Sequence, residues 1–121
     1  MRQLTTTRAR IAASGEESTD YVDFRAYKLV AVRVPSGWTA AAIAFLCAPG
    51  LDQRGAPSDD YALAFALEVT ADTYRVLTED EQAMARALAI TQIGSRDDSD
   101  LTDPVTQVSA VELVFVVEPR G

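Results

Sequence analysis

The stretch Val22-Asp23-Phe24-Arg25-Ala26-Tyr27-Lys28-Leu29-Val30-Ala31-Val32-Arg33-Val34-Pro35-Ser36-Gly37-Trp38-Thr39-Ala40-Ala41-Ala42-Ile43-Ala44-Phe45 reads as two β-strands joined through a Pro-Ser-Gly-Trp corner. Valines at 30, 32 and 34 share one face, while Lys28 and Arg33 interrupt the run with charge, the period of a strand with an apolar side. Pro35 has no N–H to give to a ladder, so the first strand ends there. Ser36 and Gly37 supply the turn, and the only tryptophan, Trp38, covers the end of the layer before a second apolar run begins at Ala40. Pro35 and Trp38 are thus a structural corner of a β-sandwich, and the stretch carries no catalytic arrangement.

Working outward, Thr5 to Ala13 alternates, with Thr5, Thr7, Ala9 and Ile11 on one side and Thr6, Arg8 and Arg10 on the other, as a strand with one wet face does. Residues 14–18 form a polar turn, followed by Tyr21 to Phe24 with Val22 and Phe24 inward. Strands follow at about 28–34 and 40–48, and a Gly/Pro/Asp loop runs from Pro49 to Asp60. Tyr61 to Thr70 and Thr73 to Leu77, separated by Ala71-Asp72, read as a hairpin. Thr78-Glu79-Asp80-Glu81 has the form of an N-cap with a glutamate three residues on, predicting a short helix from Glu79 to about Ala85, with Met84 and Leu88 on one face. The next strand is placed from Ala87. The expected fold is all-β, a jelly-roll-like antiparallel β-sandwich with one short helix, with 1–13 as an N-terminal arm and first strand and 14–121 as a single sandwich domain.

The last run, Ser109 to Val117, carries Val111, Leu113, Phe115 and Val117 on one face and Ala110, Val114 and Val116 on the other, with only Glu112 charged. A strand apolar on both faces is either central under a covering layer or packed against another subunit. In a small sandwich with open outer faces the second option gains weight. Val111, Leu113, Val114, Phe115 and Val116 are therefore the candidate interface, with the arm Met1 to Thr7 reaching to a neighbour.

A chain of 121 residues supports one core, and 48% apolar residues argue against disorder. A formal charge of -7 disfavours nucleic acid as a direct partner and leaves basic protein surfaces open. The arginines at 8, 10, 25 and 33 concentrate positive charge in the first third while the acids crowd later loops, a dipolar arrangement suited to head-to-tail or ring contacts. No run has the length of a membrane span, and the N-terminus lacks a signal core, so the chain is expected to be made in the bacterial cytoplasm with no membrane partner.

Chemistry is sparse. The absence of histidine removes the commonest general base, the Ser-His and Cys-His pairs and histidine zinc sites. Cys47, the only cysteine, lies in an apolar run and reads as a buried, inert thiol. Gly50 and Gly55 have the wrong spacing for a phosphate loop. Acidic pairs such as Asp59-Asp60, Asp97-Asp98 and Glu79-Asp80-Glu81 read as solvated turns. Asp98, Asp100 and Asp103 offer oxygen ligands to a calcium ion, but the segment lacks the glycine and distal glutamate of an EF-hand loop, and side chains capping their own turns are the favoured account. The expectation is no catalytic site, no cofactor and no metal.

Ile11-Ala12-Ala13-Ser14-Gly15, Val22-Asp23-Phe24, Tyr27-x-Leu29-Val30 and Pro35-x-x-Trp38-Thr39-Ala40-Ala41-x-Ile43-x-Phe45 together resemble a family of small virion proteins of tailed bacteriophages and gene transfer agents. Those proteins follow the order Ile-Ala-x-Gly, Val-Asp-Leu-x-x-Tyr-x-Leu-Val-Gly-Ile, Pro-x-x-Trp-Thr-Ala-Ala-x-Leu-x-Phe and close with an apolar strand. The resemblance is dense from Ile11 to Phe45 and loose afterwards, where residues 48–57 replace the family's Ser-x-Asp-Gly. It implies a structural virion protein, a head-spike base or capsid decoration, located in the virion and forming a homo-oligomeric ring, a pentamer at a capsid vertex in spike-base relatives. The partner would be the capsid or a spike or fibre protein. The alternative is a carbohydrate-binding β-sandwich module for host-surface glycans, using Trp38, Tyr61 and the 49–60 loop.

Overall fold

The computed structural model describes residues 3–47 and 62–120. Among them the elements are, in chain order, β1 (Thr5–Ile11), β2 (Glu17–Asp23), β3 (Tyr27–Val34), β4 (Ala42–Cys47), β5 (Ala62–Leu67), β6 (Thr73–Val76), α1 (Glu79–Ala85), β7 (Ile90–Asp97), β8 (Asp100–Pro104) and β9 (Val111–Pro119). One sheet has the order β1-β9-β3-β6 and the other β2-β7-β4-β5, with β8 paired to β7. All pairings are antiparallel.

This order is a jelly roll. The chain makes a long antiparallel ribbon, β1 against β9, β2 against β7, β3 against β6 and β4 against β5, and the ribbon is wound so that β3 also meets β9 and β4 also meets β7. From β1 to β4, every strand lies in the sheet opposite to its predecessor. Each connection among them, the Pro35-Trp38 corner included, therefore crosses between layers. Trp38 N–H bonds Pro35 O at 3.2 Å to close the turn, and the indole Nε1 donates to Ala41 O at 3.1 Å.

Alternation fills the space between the sheets. Ala9, Ile11, Leu29, Val32, Val34, Leu113, Phe115 and Val117 point inward from one layer, and Val22, Ile43, Phe45, Phe65, Leu67 and Ile93 from the other. At the centre Phe24, Phe45 and Phe115 meet edge to face with centroids 5.7 to 6.0 Å apart, and Phe65 lies tilted on Phe45 at 5.3 Å. Contacts of this geometry contribute about 1 kcal/mol each beyond the area they bury.

Several elements depart from the sequence reading. A bulge between Leu29 and Ala31 puts Leu29, rather than Val30, on the core face with Val32 and Val34. The segment read as a turn at 14–18 ends earlier, because Glu17 and Ser18 already belong to β2; buried Ser18 accepts Ile93 N–H at 3.0 Å and donates to Asp20 O at 2.7 Å. β5 and β6 are not a hairpin: β5 pairs with β4 and β6 with β3, in opposite sheets. Between them Asp72 adopts a positive φ of 59°, and its N–H bonds Pro35 O at 3.2 Å, which carries the chain across.

α1 begins as expected, with Thr78 and Glu81 forming a reciprocal capping box. Its inward residue is Ala85, however, and Leu88 follows in the core, while Met84 is 56% exposed. The next strand starts at Ile90, since Arg86, Ala87 and Leu88 continue the turn by bonding to Ala83 O, Met84 O and Ala85 O. Of the arm, Thr5, Thr6 and Thr7 lie in the β1 ladder opposite Val117, Val116 and Phe115, and residues 1 and 2 lie outside the described residues.

Candidate functional site

β9 is the central strand of its sheet, held between β1 and β3. Val111, Leu113 and Phe115 are at most 5% exposed and pack in the protein's own core. This corrects their assignment to an intersubunit contact: the covering layer is the second sheet. Of the five candidate interface residues only Val114 and Val116 point outward, each half-buried. Register places Arg8 and Arg33 on either side of Val114, and Thr6 and Ala31 on either side of Val116. Beyond β3, Tyr74 and Val76 of β6 extend the same outer surface, 54% and 56% exposed. The surface is an apolar strip edged by charge, with Glu112 accepting from Arg8 at 2.8 Å and Arg10 at 2.6 Å.

At the end of the roll that holds the corner, a buried polar cluster does what apolar packing does elsewhere. Gln107 has no exposure; its Oε1 accepts Thr39 N–H at 2.7 Å, and its Nε2 donates to Thr39 O at 3.1 Å and Ser95 Oγ at 2.9 Å. Ser95 Oγ donates in turn to Val105 O at 2.7 Å. Gln107 N–H bonds Gly15 O, and its carbonyl accepts Ser14 N–H, both at 2.8 Å. One residue, through its backbone and its side chain, thus ties the β1–β2 turn, the β3–β4 corner and β7 to the segment before β9. No local pattern in the sequence points to Gln107, which stands between Thr106 and Val108 in a polar stretch.

The acidic segment at 96–103 is a hairpin of β7 and β8. Asp97 Oδ1 accepts from Ser99 N and Oγ at 2.9 and 2.7 Å, and Asp100 Oδ1 from Thr102 N and Oγ1 at 3.1 and 2.7 Å. These hydrogen bonds hold both carboxyls below the ordinary aspartate range. The aspartates cap their own turns, and among the described residues no group of acids, cysteine or histidine is arranged to hold a metal ion. The other shifted carboxyls have equally structural causes. Asp23 is lowered by Arg25, Glu81 by Arg75, and Glu112 by Arg10 and then Arg8.

Trp38 is 4% exposed and its N–H is spent on Ala41 O, which makes it a packing plug with no face free to stack on a sugar. Tyr61 and the 49–60 loop lie outside the described residues. Cys47 is half-buried rather than buried, with Sγ 3.3 Å from Thr91 Oγ1 at the end of β4. Among the described residues no helix is long and apolar enough to cross a membrane. Comparison with family models, curated proteins and solved structures finds no match to this chain.

Proposed function

We propose that the chain is a structural virion protein of a tailed phage or gene transfer agent, an oligomeric base or decoration on the capsid that works by surface complementarity and converts no substrate. The observation that carries this reading is the winding of the ribbon, β1-β9-β3-β6 over β2-β7-β4-β5, an architecture that serves capsid proteins and lectins alike. Fold alone does not separate those two uses. The lectin use loses Trp38 to the core, whereas the virion use is supported by the resemblance over Ile11 to Phe45 and by the outward strip of Val114, Val116, Tyr74 and Val76. In this reading the strip lies against the capsid or a spike protein, burying its apolar side chains there.

Fractionation of particles on a density gradient tests it. The protein should sediment with capsids at a fixed number of copies per particle, and the double substitution Val114→Asp, Val116→Asp should leave it at the top of the gradient while the purified variant keeps its β-rich circular dichroism. Wild-type protein that never sediments with particles would overturn the reading.

A further inference from the structure

We infer that Lys28, Arg86 and Arg120 form a socket for carboxylates of a second copy of this chain, supplied by the β7–β8 hairpin at the opposite end of the roll. The inference rests on the assembly reading above and names the contact that joins one copy to the next. Six arginines pair with a carboxylate: Arg8 and Arg10 with Glu112, Arg25 with Asp23, Arg33 with Asp72, Arg75 with Glu81 and Arg96 with Glu17. The remaining cations among the described residues are Lys28, Arg86 and Arg120, and no described carboxylate forms an ion pair with any of them. These same three residues line one pocket of about 260 Å³.

In a chain of net charge -7, three cations lining one depression, none of them in an ion pair while the other described arginines each have one, are an exception to how its charges are arranged, even with Glu118 across the β3–β9 ladder from Lys28. Their mutual repulsion is relieved when an anion enters. The pocket is also pre-organised. Arg120 N–H bonds Ala26 O at 2.9 Å, its Nε donates to Tyr27 O at 3.1 Å and its Nη2 to Arg86 O at 3.0 Å, which fixes the guanidinium between the start of β3 and the end of α1. Three of its five donors reach neither carbonyl.

The complementary charge sits at the far end. Lys28 is at the start of β3, and Val34, six residues along the extended strand and so roughly 20 Å away, pairs with Thr73. Thr73 shares a surface depression with Asp98 of the β7–β8 hairpin. That hairpin carries Asp97, Asp98, Asp100 and Asp103; Asp97 and Asp100 each give one oxygen to their own turn, and Asp98 and Asp103 are exposed with no ion pair. Socket and plug on opposite ends of one subunit make a heterologous contact, which closes into a ring or runs on as a filament.

Native mass spectrometry and light scattering over a concentration series, at low and at high salt, test the inference with four proteins: wild type, Lys28→Glu with Arg86→Glu, Asp98→Lys with Asp103→Lys, and all four substitutions together. Arg120 is kept because the bonds its guanidinium donates to Tyr27 O and Arg86 O belong to the fold. Wild type should associate at low salt and dissociate as salt screens the contact. Each double variant should lose association by roughly tenfold or more, and the fourfold charge swap should regain it. The two double variants alter opposite ends, so a folding defect in one, seen by circular dichroism, leaves the other informative. Monomeric wild type at every concentration, double variants that associate like wild type, or a swap that stays dissociated would overturn the inference. Calorimetric titration with inorganic phosphate that saturates as tightly as the self-contact would also overturn it, assigning the socket to phosphate. Sedimentation with capsids is read separately: a protein that sediments but never self-associates ends the head-to-tail contact and leaves the virion reading standing, and the reverse result does the opposite.

Discussion

The two ends of the roll are tied by opposite kinds of polar chemistry. At the corner end a neutral, fully buried glutamine joins four segments through short hydrogen bonds. At the helix end the ties are ionic and half-exposed: Arg75 grips Glu81 through Nη1–Oε1 at 2.8 Å and Nη2–Oε2 at 2.6 Å, and Arg120 bridges two carbonyls. The difference teaches that burial, rather than charge, sets the worth of a polar contact. Water competes with the ionic end and screens it, while a buried group that loses its partner has no substitute.

The sharpest way to break the comparison is Gln107→Leu, which keeps roughly the side-chain volume, strands Thr39 N–H and Thr39 O, and removes the donor to Ser95 Oγ, which keeps its bond to Val105 O. It should destabilise the protein by about 3 kcal/mol, seen as a lower urea midpoint with an unchanged slope. A loss no larger than that of a surface substitution would show that the cluster is not a clamp.

The helix end should give less. Glu81→Gln removes the charge from the Arg75 pair, whose side chains are 28% and 20% exposed, and should cost about 1 kcal/mol at neutral pH. Because the Glu81 carboxyl is held below its ordinary value of 4.5, it binds a proton less readily folded than unfolded. Its contribution is therefore complete above about pH 4.5 and is lost as the pH falls through the lowered value. The variant should have a shallower acid limb in its stability profile, and an acid limb identical to wild type would remove Glu81 from that role. Smallest of all is Glu112→Gln, on the open face where Arg8 and Arg10 are 60% and 71% exposed, which should leave the thermal midpoint within measurement scatter. A clear drop there would contradict the lesson drawn from the two ends.

What the sequence made legible follows the same division. Period-two runs placed β1 and β3 and the inward set Ala9, Ile11, Val32 and Val34, because a half-buried strand prints its burial in alternation, while β4 and β9 showed as apolar runs. Partners were less legible, since alternation fixes faces and not neighbours. The Tyr61–Leu77 region therefore read as a hairpin, although β5 and β6 lie in different sheets. β8 was invisible, as Asp100-Leu101-Thr102-Asp103-Pro104 is mostly exposed and has no apolar period to show. In β9 the apolar character of both faces was plain, but which face met the core depended on β1 and β3 flanking it. Gln107 could not be found at all, because its importance lies in four segments brought together from 14–15, 39, 95 and 105–107.

The winding also sets an order of events. β1 and β3 do not touch each other in the ladder; both are joined through β9, the last strand of the sequence. As the chain leaves the ribosome, two edges made early must wait, unpaired, for a partner made at the end, so one layer forms only when nearly all of the described chain has been synthesised. A ribosome stalled before residue 111 would hold a chain with half a sandwich and two open seams.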